Sequence, residues 1–252
     1  MRIVKFIHKN RISWGVLEAD SVRPLKAGPF AKLQPAKDKI PVYNVKLLAP
    51  AEPGKIILCG LNYRDHAKEL KLPLPQEPVI FLKPATALIG HKQGIVYPPD
   101  VNRLDYEAEL AIVIKKPAKN IPEKKAAGYI LGYTCLNDIT ARDLQKKDVQ
   151  WTRSKSFDTF CPLGPWVETA LDPSSLKIRS YLNGRLVQDS CTSRMIFSVN
   201  YLLAFISRIM TLLPGDVIST GTPPGVGRML PQDKIEVEIE GIGRLINTVT
   251  AR

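Results

Sequence analysis

Along the chain, apolar residues recur at every second position far more often than at helical spacing, so strands dominate the expectation. Short runs near 2–7 and 12–18, followed by Pro- and Lys-rich loops, predict a small β-rich N-terminal domain over residues 1–48. APAEPG (49–54) reads as a linker into the main unit, 49–252. There KIILCG (55–60) is a buried strand by its apolar run, and PVIFLKP (78–84) and GYILGYTCLND (128–138) are further strands. Asn183-Gly184 between strand-forming runs in IRSYLNGRLVQDS signals a hairpin. Helices are few: NYRDHAKEL with Asn62 as its N-cap, PEKKAAG (122–128), ITARDLQKK, and one long helix over 198–213. That last helix opens at Ser198 and stops at Pro214-Gly215. Many strands with few short helices imply a mixed β (α+β) architecture, not a βαβ repeat.

Two stretches share one pattern. LDYEAEL (104–110) places Asp105, Glu107 and Glu109 on one parity, and KIEVEIEG (234–241) does the same with Glu236, Glu238 and Glu240. Like charges on one face repel, so each set needs a reason. For the second, an apolar opposite face of Ile235, Val237 and Ile239 makes an exposed amphipathic strand sufficient. The first runs on into AIVI, apolar on both faces, which carries its acids toward a buried edge where charge demands a partner. Two carboxylates at i and i+2 can grip one hard cation, Mg²⁺ or Mn²⁺, from one side. Asp138, closing GYTCLND, is a candidate third ligand and equally an N-cap for ITARDL. Alternation alone does not separate a metal site from a wet face.

Composition narrows the partners. The formal net charge is +12, and residues 1–50 hold ten Lys/Arg against three acids. These cations are scattered among aliphatic residues and prolines rather than clustered with aromatics, which fits solvated faces or a funnel for a small anion better than a nucleic-acid surface. No apolar run approaches the ~20 residues of a membrane span. The N-terminus lacks the apolar core of a signal peptide, and Cys59, Cys135, Cys161 and Cys191 lie far apart, so reduced thiols in a cytoplasmic protein are expected. With three histidines, zinc of the His/Cys type is not expected. His8 and His91 read as surface residues. His66 has Glu69 three positions on, an arrangement that builds either a general base or a surface ion pair. GTPPGVG (221–227) reads as a rigid turn, since its prolines remove donors that a phosphate cradle needs. Serine-nucleophile, zincin, P-loop and dinucleotide signatures are absent.

Six ordered motifs then resemble the fumarylacetoacetate hydrolase family: GLNYRDH (60–66), FLKPATALIG (81–90), DYEAEL (105–110), NDITARDLQ (137–145), WTRSKSFDTFCPLGPW (151–166) and STGTPPGVG (219–227). The resemblance covers about 55–250 and implies that family's β-sandwich roll, with a small β-rich N-terminal part as in compact members, and a homodimer. It implies metal ligands at Glu107, Glu109 and Asp138 for Mg²⁺ or Mn²⁺, with Ca²⁺ as a further option. It implies a base dyad of His66 and Glu69 on a lid, a lysine near the reacting oxygen at Lys155, and substrate contacts at Arg142, Gln145 and Thr222. Asp105 is left as an outer or structural acid. The implied activity is metal-dependent chemistry on a 2-oxo or 2-hydroxy-enoic acid through an enolate. It takes the form of a 5-carboxymethyl-2-hydroxymuconate or 2-hydroxyhepta-2,4-diene-1,7-dioate isomerase or an acylpyruvate hydrolase. An oxaloacetate-type decarboxylase, or a basic binding protein on the same scaffold, stands as the alternative.

Overall fold

The structure, a computed structural model, describes residues 1–251. Strands dominate, as the alternation predicts, and collect into a 12-stranded, a 5-stranded and a 3-stranded sheet. In the large sheet, Ala108–Ile114 lies between Ile130–Asn137 and Val217–Ser219, and Val217–Ser219 runs parallel to Ile56–Cys59. The 5-stranded sheet carries the Lys177–Leu182/Arg185–Cys191 hairpin, then Lys234–Ile239, Gly243–Ala251 and Gly94–Tyr97. Asn183 and Gly184 both take positive φ, the geometry that a two-residue hairpin turn requires.

The two larger sheets face each other. Leu110, Ile112 and Cys135 from one share a core with Ile178, Val237, Ile239 and Leu245 from the other, and the helix Val199–Ile209 adds Leu203 and Ile206. The other face of the central strand is also closed, by a cluster holding Ala111, Val113, Leu58, Leu136 and Leu163. Each fully buried aliphatic side chain contributes ~1.5–3 kcal/mol. All seven residues of Ala108–Ile114 are buried, as AIVI requires. The N-terminal strands join the same large sheet: Arg2–His8 pairs with Arg11–Leu17, with Lys46–Leu48 and with Cys161–Glu168. Among the described residues no helix is long and apolar enough to cross a membrane.

Four local expectations are corrected. Asn62 does not cap its helix, Arg64–Leu70; it is fully buried and ties three chain segments together. Its amide donates to the carbonyls of Phe197 and Thr220 and its oxygen accepts from the Phe197 N–H. The long helix ends at Ile209, because Leu212 leaves the helical path to exchange backbone hydrogen bonds with Ala118. ITARDLQKK divides into a bridge strand, Thr140–Ala141, and a helix, Arg142–Lys147. His91 is half-buried, not a surface residue: its Nδ1 accepts from the Ile246 N–H at 3.1 Å, and burial, aided by Lys92, pulls its pKa down to about 4.

Candidate active site

The ladder places the acids. Ala108 pairs with Asn137 and Glu109 with Leu136, so the next residue of that strand, Asp138, falls beside Glu107 and donates its N–H to the Glu107 carbonyl at 2.9 Å. The Glu107 N–H turns instead to the Asn137 Oδ1, 2.9 Å away. Glu107, Glu109 and Asp138 are all buried, and each offers a carboxylate oxygen within 4.8 Å of the others. Such a set costs several kcal/mol per ion unless it is compensated.

Compensation is uneven. The Lys155 Nζ, delivered by the short helix Thr152–Lys155, sits 3.0 Å from Glu107 and 2.6 Å from Asp138, with Thr140 Oγ1 at 2.7 Å. Arg142 contacts Glu107 on the other side while its Nε donates to Asp105 at 2.9 Å. Burial opposes ionisation of Glu107, but Lys155 and Arg142 outweigh it and hold the carboxyl well below its usual range. Burial likewise works against the Lys155 cation, and Asp138 and Glu107 more than restore it. Glu109 differs. Among the described residues no lysine or arginine lies within salt-bridge reach of it; it accepts from the Ser219 hydroxyl and, at 2.9 Å, from the Gly221 N–H. Burial first, then Asp138 and Glu107, push its carboxyl well above the usual range. Three oxygen donors from one side, one of them without a counter-charge, fit a hard divalent cation.

A cavity of about 190 Å³ opens onto this cluster. It is lined by Glu107, Glu109, Asp138, Lys155, Arg142, Gln145, Thr222 and His66, with Leu61, Leu70, Leu72, Phe81 and Trp151 as apolar wall. Eight of the nine residues expected at the site therefore meet in one cavity. The ninth, Glu69, stands behind His66 with its Oε2 at 2.8 Å from Nδ1, and its Oε1 accepts from the Gly225 N–H at 3.1 Å. Thr222 is placed by Gln188, whose amide donates to Thr222 Oγ1 at 3.0 Å while its oxygen accepts from the Ala108 N–H. Gly221 is required there: φ is +90°, and a Cβ would come within 2.9 Å of Asn62 and the Gly60 carbonyl. Cys59 lines the cavity as a thiol, pushed up to about 12 by burial and Glu109, and so offers no nucleophile at neutral pH.

Residues 55–250 match the family described as fumarylacetoacetate (FAA) hydrolase C-terminal, and residues 1–50 match an N-terminal family described as Rv2993c-like. The chain belongs to the fumarylacetoacetate hydrolase family. A protein of Archaeoglobus fulgidus is 57% identical over 83% of this chain and 84% of its own. The mitochondrial oxaloacetate tautomerase FAHD2B of Bos taurus is 43% identical over 83% of this chain and 71% of its own. The crystal structure of a 5-carboxymethyl-2-hydroxymuconate delta-isomerase from Mycobacterium smegmatis superposes with a TM-score of 0.95, at 42% identity and full coverage of both chains. This chain is thus a compact member of the fumarylacetoacetate hydrolase family with that family's mixed α+β fold.

Sequence reasoning missed several members of the site. Asn137, Thr140 and Ser219 hold Glu107, Lys155 and Glu109 from small polar side chains at strand ends, and Gln188, in the middle of Arg185–Cys191, holds Thr222. Lys83 is the largest omission. Its ammonium lies 2.6 Å from Asp138 Oδ1, opposite Lys155 on Oδ2. The one signal available was its place inside FLKPATALIG, two residues from the cavity-lining Phe81.

Proposed function

We propose that this protein is a divalent-metal-dependent enzyme that moves a proton at the carbon next to the 2-oxo or 2-hydroxy-enoic group of a small carboxylic acid. The carrying observation is that the buried carboxylate cluster and the His66–Glu69 pair face one cavity. Glu107, Glu109 and Asp138 would hold Mg²⁺ or Mn²⁺, which would supply stabilisation of negative charge on the 2-oxo oxygen. Lys155 and Arg142 supply a fixed positive field for the same anion. Gln145 and Thr222 have side chains in the wall that can hold the substrate carboxylate in register. Glu69 fixes the imidazole of His66 through its Nδ1, so His66 is the group that takes the C3 proton and returns it. The apolar residues Leu70, Leu72, Phe81 and Trp151 keep bulk water from the reacting carbon.

Isomerisation or tautomerisation is favoured over C–C hydrolysis because it asks only for a proton relay within this small, largely apolar cavity. The activities by which the two relatives are named, an isomerase and a tautomerase, support the same choice. Candidate substrates are the enol of oxaloacetate and a 5-carboxymethyl-2-hydroxymuconate-type dienoate. Loss of enol absorbance is expected with oxaloacetate or the hydroxymuconate in Mg²⁺ or Mn²⁺ and not in EDTA. In D₂O, deuterium is expected at the same rate at C3 of oxaloacetate and at C5 of the isomerised hydroxymuconate. Cleavage of acetylpyruvate without that exchange on the other substrates would overturn the proton-transfer reading in favour of hydrolysis.

A further inference from the structure

Lys83 ends the strand Ile80–Lys83, which is bonded only to Ile56–Cys59 at the margin of the large sheet. A lysine there should reach solvent, yet its side chain is 0% exposed. The ammonium donates to the Ile139 carbonyl at 2.9 Å and to the Phe160 carbonyl, and it forms an ion pair with Asp138 Oδ1 at 2.6 Å. The same strand turns Phe81 toward the site, where its ring lies 5.0 Å from the Lys155 Nζ. Asp138 is therefore held between two lysines, one on each oxygen.

Stability does not account for this arrangement. Burying an ion pair costs several kcal/mol per ion, and an apolar side chain of the same length commonly serves a core as well or better. Lys83 is not part of the cavity wall, so it touches no substrate. What remains is geometry and fixed charge. Its ion pair stands on Oδ1, while Oδ2 accepts from Lys155, which also donates to Glu107. A divalent cation, Lys155 and Arg142 balance the four carboxylates of Asp105, Glu107, Glu109 and Asp138, so Lys83 adds positive charge beyond that balance.

We infer that Lys83 is a positioning and charge-setting residue of this site. It restricts Asp138 to one ligating oxygen, weakens the cluster's hold on a divalent cation, and strengthens the positive field felt by the anionic substrate. The inference rests on the reading of Glu107, Glu109 and Asp138 as a divalent-cation site.

The test titrates Mn²⁺ into metal-stripped wild-type protein and Lys83→Met, with free Mn²⁺ followed by electron paramagnetic resonance. Removing one buried positive charge beside the cluster is expected to tighten Mn²⁺ binding by at least about threefold. At saturating Mn²⁺, kcat for loss of the oxaloacetate enol is expected to fall about tenfold or more. Affinity and turnover then move in opposite directions, which damage to the fold does not produce. Weaker Mn²⁺ binding together with lower kcat in the variant overturns the inference and leaves the metal site standing. Absence of Mn²⁺ binding by the wild-type protein overturns the metal site and the inference together. If Lys83→Met does not fold, a crystal structure of the wild type with Mn²⁺ decides. Asp138 bound through Oδ2 alone, with Lys83 still on Oδ1, supports the inference; a bidentate Asp138 or a displaced Lys83 overturns it.

Discussion

LDYEAEL and KIEVEIEG carry three acids each at the same alternating spacing, and the fold treats them oppositely. In the first, Asp105, Glu107 and Glu109 are all buried, and the adjoining strand adds Asp138, so acids converge on acids. In the second, the acids meet cations from their own strand and from neighbouring ones. Glu236 pairs with Lys234 at 2.7 Å and Arg244 at 3.0 Å, while Glu238 pairs with Arg244 and lies 4.0 Å from Arg179. The expectation of a fully exposed face there is corrected at one position. Glu236 is only 5% exposed, sheltered beneath those two cations, whereas Glu240 is open to solvent. A strand pattern tells which side chains share a face; the neighbouring strand decides whether that face is compensated or left in want of a cation.

The difference can be broken most severely at Glu109. Glu109→Ala is expected to abolish the thermal stabilisation produced by Mg²⁺ or Mn²⁺ and to lower turnover by ~10³ or more, since a ligand and its charge are both lost. Glu238→Ala should leave both properties intact, and equal losses in the two variants would mean that the site has been placed on the wrong strand. Next in size, His66→Ala is expected to cost ~10²–10⁴ in kcat while keeping the metal-induced rise in Tm. Loss of that rise would make His66 part of the ion site rather than the proton relay.

A subtler difference concerns charge without metal. The Glu109 carboxyl is raised above its unfolded value, so the folded state binds the extra proton and is favoured at low pH. That stability is complete below the unfolded pKa and lost as pH rises through the folded one. In EDTA, Glu109→Gln should therefore raise Tm most at pH 7–8, with the gain shrinking toward pH 4.5, read by thermal melts across that range. Glu236 is shifted the other way: burial raises it, but Lys234 and Arg244 prevail. The smallest effect is expected from Arg244→Ala. Its side chain is about half exposed, so removing it should cost ~1 kcal/mol or less in urea unfolding and leave kcat unchanged.

How far the site could be read in advance depended on the kind of residue. Residues that announce themselves by chemistry and spacing, such as the Glu107/Glu109 pair or His66 with Glu69, stood out from local pattern. Their roles came from the resemblance of six motifs. Asn62 and His91 were misread because a polar residue at a helix start or in a glycine-flanked loop looks solvent-facing. Only the return of residues 195–198 and of the strand Gly243–Ala251 buries them. Lys83 was invisible for the same reason, as a lysine before a proline at a strand end normally marks the surface.

By itself, the sequence determined the strand-rich composition of the fold, the Asn183-Gly184 hairpin, the Ser198-capped helix and the shared parity of Glu107 and Glu109. These depend on contacts between near neighbours, for which alternation, capping and turn preference are sufficient physics. Only the tertiary structure decided which acids would lack counter-charge and that two lysines would hold Asp138 from opposite sides. Such outcomes depend on residues far apart in the chain and on the loss of water around them. Desolvation and pairing at that range leave no mark in local order.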